Sequence, residues 1–373
     1  MAADAAWCRE AFGLDYWQAW ALVLGFSALA GAWIQALDRR LAPGLARLLA
    51  VLPVVAANLV LTRLFCRGTD ATAVILVGFN TSWLSSFKAL AWAMNRGALA
   101  DALLTPAQFV ATYMAPLTPQ HDPPGGQKKG RLAEDAGGVW SHIVNYSAKL
   151  AVMGIAVTLL LEYPDMPGVL QSLCLTWGLY SLLSSAMDGS GVLLVGILGM
   201  KLSPHFDKPF LANSTTSWWN KRWDIAAGNT LRAVVFDPIC ERRWVADRKV
   251  APARPGPLLQ LLGSCASFGT SGLIHEGIYW YMTGHTTGGI WMCFFLAQVP
   301  LIVAERALLV ALRRAGITLP NWLRILITLT CQNQLGHWFF WPPIKGPIAE
   351  QVISNILDSH RERMALLGLK SIF

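Results

Sequence analysis

The sequence predicts an all-α polytopic membrane protein with about 8–9 transmembrane helices, joined by amphipathic helices at the membrane interface. Three observations predict it. Of 373 residues, 54% are hydrophobic and only 14% charged, against about 25% charged in a soluble domain. Apolar windows of about 20 residues, the length that crosses a bilayer, follow one another along most of the chain. And 17 Trp stand against 7 Tyr, several of them (Trp17, Trp20, Trp140, Trp291, Trp322, Trp338) near the ends of apolar runs, where indole rings favour the membrane interface.

Taken in order, the windows fall at 17–37, 43–63, 72–95, 140–161, 168–200, 257–282, 289–312 and 319–342. The fifth is long for one simple helix and contains Asp188 and Gly189, so two broken or re-entrant pieces, and a ninth span, are an alternative there. Arg39, Arg40 and Arg47 follow the first span, Lys128, Lys129 and Arg131 the third, and Arg313 with Arg314 the seventh. The positive-inside rule makes these loops cytosolic and puts the N-terminus on the opposite side, with Arg63 and Arg67 dissenting. No basic start followed by a short apolar core and a small-residue cleavage site occurs in Met1 to Tyr16, so no cleaved signal peptide is expected. Residues 1–373 read as a single membrane-embedded domain without a visible internal repeat.

Two polar stretches interrupt the pattern. The first, about 118–138, is rich in Pro, Gly and charge and reads as a flexible loop. The second, Lys201 to Pro257, mixes Trp with charges, too polar to span and too aromatic for a linker; it reads as amphipathic helices lying at the cytosolic interface. The net charge of +8 is spread in short clusters between apolar runs, which argues against nucleic acid and for anionic lipid headgroups or a phosphate-bearing cosubstrate. The seven cysteines are far apart and form no CxxC pair, so neither a zinc site nor a disulfide framework is read from them. No metal and no cofactor are expected.

Two constellations carry chemistry. In Thr216-Ser-Trp-Trp-Asn-Lys-Arg-Trp-Asp-Ile225, helical spacing would put Asn220 and Asp224 on one face; an interfacial helix anchored by Trp is the competing reading. In Gly269-Thr-Ser-Gly-Leu-Ile-His-Glu-Gly-Ile278, His275 and Glu276 sit inside an apolar run, where ionisable groups are costly and mark function. A histidine held by a neighbouring helix is the alternative. Tyr279 stands where HExxH would need a second His, which excludes a zinc protease. No GxSxG elbow is present. A neutral imidazole suits removal of a proton from an alcohol attacking a thioester, so direct transfer without an acyl-enzyme is the simplest chemistry.

Residues Thr216 to Ile225, followed by Leu231-Arg-Ala-Val-Val-Phe-Asp-Pro238, resemble the plant-type wax synthase branch of the membrane-bound O-acyltransferase superfamily, and Ser271-Gly-Leu-Ile-His-Glu276 looks like its histidine motif. Trp83-Leu-Ser-Ser-Phe-Lys88 and Trp338-Phe-Phe-Trp-Pro-Pro343 agree, with the core of the resemblance at about 201–290. What the resemblance implies is a multi-pass endoplasmic-reticulum enzyme whose helices enclose a reaction chamber, and which esterifies a long-chain alcohol with acyl-CoA as cosubstrate. Carried over, His275 is the base and Asp224 its polar partner. The family more often has Asn at that position, so Asn220 stays open as the supplier of an amide. Trp219, Arg222, Trp223, Ser271, Glu276 and Lys88 complete the candidate set as substrate contacts, although Lys88 also fits a snorkelling lysine near a span end. Lys221, Arg222, Arg232, Arg242, Arg243 and Lys249 fit either the phosphates of CoA or the positive-inside bias. Gln332, Asn333, Gln334 and His337 make the last span polar on one side and either line the chamber or pack between helices. A sterol, diacylglycerol or terpenoid alcohol is the alternative acceptor, and a transporter with a His and Glu proton relay the rival from another class.

Overall fold

The computed structural model describes residues 8–100, 103–120, 138–247 and 255–366. Most of the polar loop expected at 118–138, with Lys128, Lys129 and Arg131, therefore lies outside the described residues, as does Lys249.

The bundle opens with α1 (Tyr16–Asp38), started by a capping box in which the Asp15 carboxylate takes the Gln18 N–H and the Gln18 side chain returns to the Asp15 backbone. Then come α2 (Leu45–Leu61) and α3 (Ala71–Ala93), the short α4 (Pro106–Met114), and the long pair α5 (Val139–Glu162) and α6 (Gly168–Leu198). The stretch after α6 forms short pieces, among them α7 (Ile225–Leu231) and α8 (Asp237–Glu241). The chain returns through α9 (Pro257–Thr283), α10 (Ile290–Arg314), α11 (Asn321–Leu335) and α12 (Pro347–Leu366).

Among the described residues, six helices are long and apolar enough to cross a membrane: α1, α2, α3, α5, α6 and α10. α9 has the length, 27 residues or about 40 Å at 1.5 Å per residue. Its inner face, however, carries Ser264, Ser267, Ser271 and His275, which lowers its hydropathy. The break considered as an alternative in the fifth span does not occur. α6 runs unbroken through Asp188 and Gly189, because the Asp188 carboxylate is met by His142, Lys149 and His205.

Cys8 and Cys66 are joined in a disulfide, a pairing that spacing alone did not show. Beside it Arg9 holds Asp70 at 2.8 Å. Disulfides persist in oxidising compartments, so a bridge at this end agrees with the orientation drawn from the basic loops. The two dissenting arginines have structural partners: the Arg67 guanidinium lies 4.9 Å from the Trp280 ring and donates to the Tyr281 carbonyl, and Arg63 faces the same ring. Trp17, Trp140, Trp322 and Trp338 are exposed, as interface anchors should be, whereas Trp291 is buried in the core.

Four π-helical turns occur among the described residues, at Gly78–Ser85, Trp218–Arg222, Arg232–Phe236 and Gly336–Phe340. Such turns insert an extra residue, turn side chains off the regular helical stripe and gather at functional sites. Each of the four contributes to one interior cavity.

Candidate active site

That cavity has a volume of about 720 Å³, within the range of about 300–1,000 Å³ typical of small-molecule sites. α9 supplies its spine. Lining residues run from Pro257, the first residue of that helix, to His275, about 27 Å at 1.5 Å per residue. α6, α10, α11 and the 216–236 stretch close it.

His275 sits in an aromatic box: Phe295 packs on its ring at 4.3 Å between centroids, and Trp83, Trp291 and Phe340 stand around it at 5.4, 5.8 and 5.9 Å. Its Nδ1 lies 2.7 Å from the Ser271 carbonyl one turn back. A carbonyl only accepts, so Nδ1 carries the hydrogen and Nε2 is left with the lone pair. Gly272, between Ser271 and His275, brings α9 close against α10, since a Cβ there would stand 2.8 Å from the Met292 sulfur. Glu276 turns away from the chamber and accepts the Thr287 N–H at 2.7 Å and its hydroxyl, tying the loop before α10.

The tryptophan motif is not one interfacial helix. Trp218 is buried and stacks on Trp223 at 4.9 Å, 14° from parallel. The helix ends at Trp223, whose backbone is extended; Asp224 then takes a left-handed conformation (φ 41, ψ 65) and starts α7, its Oδ1 accepting the Ala227 N–H at 3.1 Å. Asn220 and Asp224 therefore belong to different segments, and the shared helical face expected from their spacing is absent. The chamber unites them instead: Asn220, Asp224 and His275 all line it, with Trp219, Trp223 and Ser271. Burial pushes the Asp224 carboxyl up to about 7, partly offset by its backbone hydrogen bond.

Besides Glu276, two further candidates are placed elsewhere. Lys88 is buried, and its ammonium donates to the carbonyls of Thr112, Ala115 and Leu117, where it satisfies the open end of α4; it neither snorkels nor lines the chamber. Arg222 spans back to the Asp207 and Lys208 carbonyls at 2.9 and 3.1 Å and to the Ser217 hydroxyl. Of the basic set, Arg232 lines the chamber, largely exposed and 3.2 Å from Asp237. Gln332 and Asn333 line it too, whereas His337 contacts the Ser172 hydroxyl at 3.0 Å.

Sequence reasoning missed Gln298 and Arg306. Fully buried on α10, Gln298 uses one oxygen to accept both the Trp219 indole N–H at 2.9 Å and the Gln332 amide at 3.1 Å, so it fixes two chamber walls. A glutamine in an otherwise apolar span was its visible signal. Arg306 lines the chamber from α10, and its charge within an apolar run carried the same signal.

Residues 202–297 match the model of the membrane bound O-acyl transferase family. Over 343 residues the chain is 27% identical to the probable long-chain-alcohol O-fatty-acyltransferase 3 of Arabidopsis thaliana, covering 87% of this chain and 91% of that one. It is 30% identical over 246 residues to the long-chain-alcohol O-fatty-acyltransferase of Simmondsia chinensis, 64% and 65% of the two chains. To the acyl-CoA–sterol O-acyltransferase 1 of Arabidopsis thaliana it is 24% identical over 296 residues, 79% of each.

Proposed function

We propose that this relative of the membrane bound O-acyl transferases moves the acyl group of an acyl-CoA onto the hydroxyl of a long-chain alcohol, forming a wax ester within the endoplasmic-reticulum membrane. One observation carries the reading: His275, with Nε2 holding the lone pair, lines the same cavity as Asp224 and Asn220, although they lie about 50 residues from it along the chain.

In this mechanism the alcohol donates its hydrogen to Nε2 of His275 as its oxygen attacks the thioester carbonyl. The carbon–sulfur bond breaks, and the departing thiolate of CoA recovers the proton from the imidazolium. The Ser271 carbonyl keeps the ring in the right tautomer. Asp224 orients the alcohol. Its Oδ1 is committed to the cap of α7, and Oδ2 has no hydrogen-bond partner among the described residues. Asn220 remains the second candidate for that role at the same chamber. Trp219, Trp223 and the aromatic box supply an apolar wall for the chains.

Acyl-CoA enters from the cytosolic face, where Arg232, Pro257 and Gln260 line the end of the chamber at the start of α9. The alcohol enters from lipid. The similarity to a sterol acyltransferase keeps a sterol as the second acceptor class to test. Purified protein with labelled acyl-CoA and a panel of fatty alcohols, sterols and diacylglycerol tests the proposal. Ester formed with long-chain alcohols supports it, and ester formed only with another acceptor reassigns the substrate. No ester with any acceptor sinks it.

A further inference from the structure

A buried ionic cluster lies outside the chamber and has no part in the chemistry above. Asp188 on α6 is 1% exposed. Its Oδ1 stands 3.3 Å from His142 Nδ1 and 3.2 Å from His205 Nε2, and its Oδ2 pairs with Lys149. His142 and Lys149 come from α5, and His205 from the loop that follows α6. The site is built for this packing: Gly191, nearly one turn beyond Asp188, has no side chain, and a Cβ there would stand 2.7 Å from the His142 ring. None of the four residues lines the chamber. Ionisable groups inside a span are costly enough that each needs an account.

The connection runs through His205. While its ring is held by Asp188, its carbonyl accepts the Ile225 N–H at 2.8 Å, and Ile225 directly follows Asp224. The same loop grips the turn on its other side, where the Asp207 N–H donates to the Arg222 carbonyl at 3.0 Å and the Phe206 ring meets Trp223 edge-on at 5.3 Å. Ahead of His205, the Ser203 N–H donates to the Thr118 carbonyl, in the segment that Lys88 also holds. The left-handed turn of Asp224 thus rests on residues 203–207, and the Asp188–His205 pair fixes that support to α6.

We infer that Asp188 is a positioning residue that acts through His205 to hold the Asp224 turn against the chamber. This rests on the proposed role of Asp224 at that chamber. A side chain about 1 Å out of place costs on the order of 10²-fold in rate, so the cluster matters to turnover without touching substrate.

Asp188→Asn keeps the volume and removes the charge, and His205→Gln removes the ring while leaving the backbone carbonyl. The test compares both variants with the wild-type full chain in lipid nanodiscs by hydrogen–deuterium exchange and by steady-state kinetics. Exchange at 224–231 should rise in both, with exchange at α9 unchanged, and kcat should fall about 10²-fold at unaltered KM for acyl-CoA. Unchanged exchange at 224–231 overturns the inference. So does an even rise across α5, α6 and α9 with activity lost in step with folded protein, because the cluster would then serve only the fold. A wild type inactive on every alcohol would refute the proposed reaction, and the exchange data would still decide the mechanical link.

Discussion

Replacing Asp224 by Asn, Gly and Ala separates three properties that meet in one residue: a left-handed backbone, the cap of α7 and a carboxyl facing the chamber. Ala loses the cap, about 1 kcal/mol, and must hold φ 41 with a Cβ, which costs an L-residue about 1–2 kcal/mol. Asp pays part of that left-handed cost as well, so the Ala variant should be about 1–2 kcal/mol less stable than wild type. Gly adopts positive φ freely and costs only a few tenths as a cap. Asn tolerates the conformation and caps as well as Asp. Thermal unfolding in nanodiscs should rank wild type and Asn together, Gly slightly below and Ala lowest. Initial rates of ester formation should rank differently, with Asn active and both Gly and Ala down by about 10²-fold. A fully active Gly variant would show that the side chain does no chemistry, and a Gly variant as unstable as Ala would refute the strained turn. Titration adds a second check. Burial raises the carboxyl from its usual 3.8 to about 7 in the folded protein, so its contribution to stability is complete below about 4 and is lost as pH rises through about 7. Asn does not titrate, and its Tm relative to wild type should climb over that interval.

His275→Ala should lower ester formation by about 10²- to 10⁴-fold with the protein still folded and inserted, because the ring borders an existing chamber; an active, well-expressed variant would remove the base. Lys88→Met leaves three carbonyls without their donor, at about 1–3 kcal/mol each when buried. Folded yield by size exclusion should drop, with KM for acyl-CoA unchanged in what remains, and a raised KM with an intact fold would restore Lys88 as a substrate contact. The Cys8–Cys66 bridge closes a loop of separation 58, for which chain entropy gives about 4 kcal/mol as an upper value, since the bilayer already restrains the helices. Reducing agent should lower Tm in wild type and leave a Cys8→Ser variant unaffected, and equal responses would argue against the bridge.

Composition and the spacing of apolar runs were enough, without coordinates, to establish a helical membrane protein, because a chain short of charge has to use lipid as its solvent and close its backbone hydrogen bonds within helices. His275 was legible for the same reason, as an ionisable group in an apolar run is costly enough to stand out. The tryptophan motif was legible as a motif but not in shape. Whether a helix continues through Trp223 or breaks into the left-handed turn of Asp224 depends on hydrogen bonds from His205 and Asp207, distant enough in the chain that no local propensity records them. Lys88 and Asp188 looked alike in sequence, each a charge within a span. Only the packed neighbours distinguish three backbone carbonyls around one from two histidines and a lysine around the other. The chamber itself was decided by tertiary structure: helical periodicity says which face of a span is polar, but a cavity forms only where α3, α6, α9, α10 and α11 pack with π-turns that rotate side chains off the regular stripe.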